Sequence, residues 1–362
     1  MFDILERKED THEFVDSRLR SRYEGIKRML EKGQSSILNQ LSINRAERKG
    51  SYDFFQNKRV EESHIKSSIY DSIAIEEIEG ANLLVIQDTT EYNYGQSNQR
   101  LKDRQGLGDI GNKYGLGYFV HPSLVIEENT KSLVGLSDIQ LWHREEDRAK
   151  ASSRKQRDFS EKESYKWHVG IINSQKRLAS ASRITYIQDR DGDIYESIEE
   201  VKQLASAELL VRCCRNRRIE LKDGKKSMLY KHLSNQAVNF SYKLAIRGDK
   251  RKNRSSRIAQ LEVRSVRVKL VCPENLKKIA EPTIEVDVVW VREKETSVPK
   301  GETAIDWKLI TTHKPHANEE AMKQLIEWYV GRWKIEEFFL SPKLEPTIWK
   351  MLYWKQDMVY EN

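Results

Sequence analysis

The sequence predicts a mixed α/β (α+β) protein that begins with a helical unit and ends with a helix. Three observations lead to this class. Residues 1–75 alternate charged and apolar positions at helical spacing, with no proline and few glycines. Short β-rich runs begin near residue 81. Apolar runs that end in aspartate then pass into helix-compatible segments, so we expect an all-α N-terminal unit followed by a sheet-containing core.

The first β-rich runs are expected to be consecutive antiparallel strands. They read ANLLVIQD, which ends at Asp88, then YGLGYFVHPSLVIEE and SLVGLSDIQLW. Residues 95–117 hold six of the 17 glycines, which predicts a mobile loop or a loose hairpin. Two interpretations stay open for it: a loop that closes over a substrate, or a long solvated hairpin.

A second aspartate lies where a strand passes into a helix. The polar stretch 144–168 leads into a helix-compatible segment, VGIINSQKRLAS, and the strand RITYIQD then ends at Asp189. The following DGDIYESIEEVKQLA is a plausible amphipathic helix. Open α/β sheets commonly place their sites at such strand ends, so Asp189 is a candidate site residue.

The β signal returns later, and it completes the predicted domain organisation. We expect an antiparallel β unit inserted before the final helix. The predicted units are a helical N-terminal domain, the first part of the core, the β-rich insertion, the final core helix and an aberrant tail, at 1–75, 76–207, 208–312, 313–340 and 341–362.

The composition limits the partners and the location that we expect for this protein. The chain has 362 residues, with 63 Lys and Arg against 56 Asp and Glu, and a net charge of +7. This balance favours a polyanionic partner. The cysteines Cys213, Cys214 and Cys272 make a poor disulfide or zinc framework, which predicts a reducing, cytoplasmic location. We find no signal peptide and no apolar run near 20 residues, so no membrane partner is expected.

Three carboxylates from separated segments suggest one divalent-metal site. If residues 320–340 are helical, about 100° per residue places Tyr329, Arg332 and Glu336 within roughly 60° of one another. Glu336 would then join Asp88 and Asp189 as a ligand of Mg²⁺ or Mn²⁺, since these hard cations prefer carboxylate oxygens. Phosphoryl transfer on nucleic acid uses two such ions. Either aspartate alone would more often be a cap or turn residue.

A calcium-loop pattern overlaps the second aspartate and is rejected. Asp189, Asp191, Asp193 and Glu200 occupy positions 1, 3, 5 and 12, but Ile194 stands where glycine is required.

Basic runs and tryptophans supply candidate nucleic-acid contacts. The run RGDKRKNRSSR and the run LLVRCCRNRR lie within the β-rich insertion, near predicted strand ends. Tracking phosphates and forming a solvated charged surface are both open for them. Stacking on an unpaired base and packing in the core are both open for the tryptophans. The candidates are Arg212, Arg215, Lys250, Arg251, Lys252, Arg254, Trp307 and Trp333.

These residues resemble a known family. Asp88 in QDTT, Asp189 in DRDGDIY, and Tyr329-x-x-Arg332-x-x-x-Glu336 with Lys343 are similar to the catalytic signature of the insertion-sequence-four family of DDE transposases. The stretches EKESYKW, KRKNRSSR and PKGETAIDWKLITTH also resemble that family, as does YDFFQNKRV in the helical unit. The likeness runs from near the N-terminus to about residue 340.

The resemblance implies a ribonuclease-H-like catalytic core interrupted by the β insertion, with a DNA-binding helical domain before it. Asp88, Asp189 and Glu336 would hold two Mg²⁺ or Mn²⁺ ions. Tyr329, Arg332 and Lys343 would hold DNA phosphates, and the candidate tryptophans would grip a flipped base. The implied reaction is cut-and-paste transposition at terminal inverted repeats, through nicking, hairpin formation and opening, and strand transfer into target DNA. The implied setting is the nucleoid.

The tail departs from the family pattern. Pro342 and Pro346 interrupt the expected helix, so Lys343 matches by number and the segment 341–362 is interpreted as a frameshift or truncation product. The family's homodimer on DNA is then in question. A non-catalytic DNA-binding remnant or inhibitor is the alternative function. An unrelated metal-dependent nuclease would share the acids without needing Tyr329 and Arg332.

Overall fold

The described strands form one mixed sheet of 13 strands. The computed structural model describes residues 14, 16–32, 38–94, 107–110, 115–144, 158–246, 248, 255–276 and 280–340. This part of the chain is a mixed α/β structure, in agreement with the α+β class that the sequence predicts.

Five helices precede the sheet within the described residues. They are α1 (Ser17–Lys32), α2 (Leu38–Leu41), α3 (Arg45–Gln56), α4 (Glu62–Tyr70) and α5 (Ile75–Ile78). Asn44 caps α3, because its side chain accepts a 2.9 Å hydrogen bond from the backbone N–H of Glu47. Tyr23 and Ile26 of α1 pack with Phe54 and Phe55 of α3 in a buried cluster. Apolar residues at helical spacing therefore hold these helices together.

The strands of the sheet are β1 (Asn82–Gln87), β2 (Thr90–Asn93), β3 (Gly108–Asp109), β4 (Leu116–Glu127), β5 (Leu133–Trp142), β6 (Arg183–Gln188), β7 (Ala207–Arg212), β8 (Arg218–Glu220), β9 (Lys226–Met228), β10 (Phe240–Ile246), β11 (Arg257–Val271), β12 (Thr283–Glu293) and β13 (Asp306–Thr311). The spatial order is β2-β4-β1-β6-β7-β13-β12-β11-β8-β9, with β3 and β5 paired to β4 and β10 paired to β11.

Two parallel pairings lie at the centre of this order. β1 pairs in parallel with β6, and β6 pairs in parallel with β7. The other strand pairs are antiparallel, including β1 with β4 and β7 with β13. Because β7 pairs with β6 and also with β13, the β-rich segment 208–312 that the sequence assigns to an insertion continues the same sheet.

Later helices cover both faces of the sheet. They are α6 (Tyr165–Arg177), α7 (Tyr195–Gln203), α8 (Leu229–Ser234), α9 (Glu319–Gly331) and α10 (Trp333–Leu340). The sequence predicts one final helix up to residue 340, and this prediction is wrong in one respect. The helix is divided at Arg332, whose backbone N–H bonds to the carbonyl of Tyr329 rather than four residues back.

Strand alternation separates two cores. Leu84 and Ile86 of β1 face the cluster that includes residues of α9, whereas Leu83 and Val85 face the cluster that includes residues of α6 and α7. β1 and β6 are buried on both faces, which explains why their sequences read as continuous apolar runs.

None of the helices in the described ranges has the length and apolar content that crossing a membrane requires.

His313 predicts a pH-dependent stability. Its Nε2 lies 3.0 Å from Thr185 Oγ1, and burial together with nearby Arg183 lowers its pKa to about 4. The unfolded chain binds this proton near pH 6.5, so the contribution of His313 is lost as pH falls from about 6.5 towards 4. We expect wild type to lose about 3 kcal/mol more than His313→Gln over that window. Urea denaturation at several pH values measures this difference, and parallel pH profiles would contradict it.

Candidate functional site

Three carboxylates from distant parts of the chain surround one guanidinium group. Arg332 Nη1 donates a 2.6 Å hydrogen bond to Asp88 Oδ2. Arg332 Nη2 lies 3.3 Å from Glu336 Oε1 and 3.9 Å from Asp189 Oδ2. The side chain of Arg332 is 9% exposed, against 25%, 32% and 39% for Asp88, Asp189 and Glu336. The acids therefore reach solvent while the cation lies beneath them.

The fold explains how these residues meet. Asp88 and Asp189 directly follow β1 and β6, which are adjacent parallel strands, so both lie at the same edge of the sheet. Because strand side chains alternate between faces, both aspartates lie on the face of the sheet that packs against α9. Arg332 lies at the junction between α9 and α10, and Glu336 follows in the first turn of α10.

The electrostatics of the cluster are coupled. Burial raises the pKa of Asp88, and the charges of Asp189 and Glu336 add to this, while Arg332 and the Thr89 N–H act in the opposite direction. Burial alone would lower the pKa of Arg332, but Asp88, Asp189 and Glu336 outweigh it and the pKa is raised. The guanidinium therefore remains charged and offsets the repulsion between the acids.

Tyr329, Trp307 and Arg212 flank Asp189. The Tyr329 hydroxyl donates a 3.0 Å hydrogen bond to Asp189 Oδ1. The ring of Trp307 on β13 meets that of Tyr329 edge-on, with centroids 5.3 Å apart. Arg212, the last residue of β7, places Nη1 4.0 Å from Asp189 Oδ1. A phenol, an indole and a second guanidinium thus form one wall of the site.

Of the remaining predicted residues, Trp333 and Arg215 lie within the described residues, and five others lie outside them. Trp333 is 41% exposed, and its ring centroid lies 5.9 Å from Arg332 Cζ. Arg215 is exposed on the loop after β7. Lys343, Lys250, Arg251, Lys252 and Arg254 lie outside the described residues.

One member of the basic run LLVRCCRNRR is structural rather than a phosphate contact. Arg217 is 8% exposed and its Nε donates a 2.8 Å hydrogen bond to Asp193 Oδ1. Asp193 Oδ2 accepts from the backbone N–H groups of Cys214 and Arg215. A buried carboxylate needs such partners, so the pair fixes the loop after β7 against the turn after Asp189.

The sequence does not predict two residues of the site, Thr89 and His121. The Thr89 N–H donates a 2.8 Å hydrogen bond to Asp88 Oδ1, which fixes the carboxylate oxygen that Arg332 does not hold. Thr89 Oγ1 lies 2.9 Å from Nδ1 of fully buried His121 on β4, whose pKa is lowered well below its usual value by burial and by Lys166. The feature of the sequence that marks His121 is a polar residue within the apolar run YFVHPSLV.

The donor set suits a hard divalent cation, although the cluster is closed around arginine. Carboxylate oxygens are the ligands that Mg²⁺ and Mn²⁺ prefer, and three carboxylates share one cationic neighbour. Within the described ranges, however, no three His, Cys, Asp or Glu side chains form a group that could hold a metal ion. The Arg332 guanidinium lies between the three carboxylates, so a divalent cation would have to replace it there.

No known protein-family model matches the sequence. The functional interpretation therefore depends on the geometry of the site.

Arg332→Gln should destabilise the protein most when divalent cations are absent. The variant leaves three carboxylates without their shared cation, which we expect to cost about 1–3 kcal/mol, given the partial exposure of the acids. Mn²⁺ should recover part of this loss by taking over the charge compensation. Urea denaturation in EDTA and in Mn²⁺ measures both effects. Arg292→Gln, which removes a half-exposed arginine paired with Glu295, is the matched control and should change little; equal effects of the two variants would contradict the prediction.

Proposed function

We propose that this protein is a DNA transposase of the DDE type, related to the insertion-sequence-four family, that performs metal-dependent phosphoryl transfer at terminal inverted repeats. The observation that carries the proposal is the meeting of Asp88, Asp189 and Glu336 within 4 Å of one guanidinium. These acids come from two strands and a helix that are far apart in the chain. Convergence of this kind is expected of a site that handles concentrated charge.

The sheet supports a ribonuclease-H-like core. The strands β5, β4 and β1 pair antiparallel, and β6 and β7 then extend the sheet in parallel with β1. The acids stand at the carboxyl ends of two of these strands, where open α/β sheets place their sites. In this proposal the β-rich segment 208–312 contains the insertion. Its first strand, β7, pairs with β6 of the core, and its last strand, β13, pairs with β7.

The three acids would hold the two Mg²⁺ or Mn²⁺ ions. When bound, the ions activate the attacking oxygen and stabilise the leaving oxygen of the phosphodiester. The protein's own side chains have other tasks. Arg332, released from the carboxylates, and Arg212 would bind and orient the phosphates of the reacting strand. Tyr329 would hold Asp189 in place through its hydroxyl.

The aromatic side chains beside the acids support a role in holding a base. Trp307 lies against Tyr329, and Trp333 presents a partly exposed ring next to Arg332. An exposed indole face stacks on unpaired bases without strong sequence preference. We therefore propose that Trp333 contacts a base that has left the duplex near the scissile phosphate.

The helical N-terminal segment supports DNA binding away from the acids. A groove beside α1 is lined by exposed basic side chains, Arg18, Arg22, Arg28 and Lys32, and by residues of α3. The α3 backbone comes close to Arg22 at Gly50, where an added Cβ would lie 2.6 Å from Arg22 Cζ. A row of cations on one helix suits a phosphodiester backbone, which gives affinity without sequence information. Two protomers on paired DNA ends are part of the proposal.

Cleavage tests the proposed activity directly. A labelled duplex carrying the terminal repeat of the encoding element should be nicked by the wild type in Mg²⁺ or Mn²⁺. Asp189→Asn should bind the duplex but lose cleavage by about a thousandfold or more, since the metal term is worth several kcal/mol. Asp191→Asn is the control, because it removes the same charge from an exposed neighbour. Nicking retained by Asp189→Asn would refute the assignment; binding without cleavage by wild type would indicate a non-catalytic DNA-binding protein.

Arg22→Gln tests the role of the helical segment. Loss of one phosphate contact should weaken duplex binding and lower the slope of log K against log salt by about 1. Fluorescence anisotropy at several salt concentrations measures the slope. The control is again Arg292→Gln, on the far part of the sheet, and it should leave the slope unchanged. A slope that Arg22→Gln does not alter would remove this groove from the DNA path.

A further inference from the structure

A pair of buried amides lies directly before the two aspartates. Gln87 precedes Asp88 at the end of β1, and Gln188 precedes Asp189 at the end of β6; both glutamines are fully buried. Gln188 Nε2 donates a 2.5 Å hydrogen bond to Gln87 Oε1. Gln87 Nε2 then donates a 3.0 Å hydrogen bond to Ser123 Oγ on β4. Three neighbouring strands are thus tied together by side chains at the level of the site.

The amide pair extends the pairing of β1 with β6 by one step. The backbone register of these strands ends at Ile86 opposite Ile187. Gln87 and Gln188 come next, and the following residues are the acids. Because strand side chains alternate, the glutamines lie on the face of α6 while the acids lie on the face of α9. Any influence of the amides on the acids therefore passes through the backbone of the two strand ends.

Close packing fixes the orientation of both amides. A Cβ placed on Gly170 of α6 would lie 2.1 Å from Gln87 Nε2, and one placed on Gly192 would lie 2.5 Å from Gln188 Oε1. Glycine at these positions lets the helix and the turn after Asp189 approach the amides, which leaves them little freedom to rearrange.

The pair is poorly explained as a device for stability alone. Gln188 Oε1 is buried without a hydrogen-bond partner among the described residues, and such a group costs free energy. An apolar pair would fill the same space without that cost. The same two residues, Ile and Gln, precede both acids in the sequence, in LLVIQD and in TYIQD. The amides are therefore better explained by the positions of the acids than by packing.

We propose that the Gln87–Gln188 pair is a positioning device that sets the separation of Asp88 and Asp189, and hence the affinity of the acids for divalent cations. The inference rests on the proposed function, because it takes the acids to be cation ligands. Outer residues that orient metal ligands commonly change metal affinity by 10- to 100-fold.

The test separates stability from cation binding. Gln87→Met and Gln188→Met each leave one amide buried without its partner and should lower the unfolding midpoint. The double variant removes both amides, keeps a similar side-chain shape and should recover part of that loss, since the Ser123 hydroxyl alone then lacks its amide partner. Its Kd for Mn²⁺, measured from the electron paramagnetic resonance of the free ion, should nevertheless be at least about tenfold weaker than that of wild type.

A matched control distinguishes this effect from general loss of a buried polar pair. Ser137 Oγ donates a 2.8 Å hydrogen bond to Ser174 Oγ between β5 and α6, and both residues are fully buried. The double variant Ser137→Ala with Ser174→Ala should bind Mn²⁺ within about twofold of wild type. Gly170→Ala is a second probe, since it keeps both amides but displaces Gln87, and it should weaken Mn²⁺ binding.

The outcomes separate the two proposals. Wild-type Mn²⁺ affinity in the double methionine variant at recovered stability, or, should that variant not fold, in Gly170→Ala, would overturn the positioning role and leave the proposed function standing. A wild type that binds Mn²⁺ tightly, loses affinity in the double variant and does not cleave DNA would overturn the proposed function and support the positioning role. A wild type that does not bind Mn²⁺ would overturn both.

Discussion

The contact of Arg332 with three carboxylates is the interaction on which the arrangement of the site depends. Asp88, Asp189 and Glu336 would repel one another without a shared cation, and their partial burial strengthens that repulsion. A guanidinium can satisfy several oxygens at once because its donors lie in a rigid plane. The fold therefore carries its own counter-charge and can assemble the acids before any ligand is present.

The same contact limits what Arg332 can do. Arg332 gives one hydrogen bond to Asp88 and one to Glu336 and lies near Asp189, so a phosphate would compete with the carboxylates for the same guanidinium. Under the proposed function, cation binding by the acids and phosphate binding by Arg332 would be cooperative. A bound cation would release Arg332 from the carboxylates, and a bound phosphate would release the carboxylates from Arg332. The break between α9 and α10 places Arg332 at a junction, where a change of side-chain partners under the proposed function would not disturb a regular helix.

The three acids that the structure brings together could be selected from the sequence because simple patterns mark them. Asp88 and Asp189 each close an apolar run, and helical periodicity brought Tyr329, Arg332 and Glu336 to one side. The division at Arg332 was missed, since no proline or capping residue marks it. His121 and the glutamine pair were missed for another reason. Their roles depend on contacts between strands that are distant in sequence, and the periodicity of a single strand does not predict such contacts. The buried role of Arg217 could not be predicted, because a run of charges does not reveal which member finds a buried partner.

The continuity of the sheet gives the β-rich segment a direct part in the site. β7 pairs with β6 so that Val211 lies opposite Gln188, which places the next residue, Arg212, beside Asp189. On its other edge β7 pairs with β13, which carries Trp307 towards Tyr329. Were the segment 208–312 a separate appended domain, its orientation would depend on flexible connections. Because backbone hydrogen bonds join it to the core, Arg212 and Trp307 are held with the precision of the sheet, as the proposed orientation of a phosphate and a base would require.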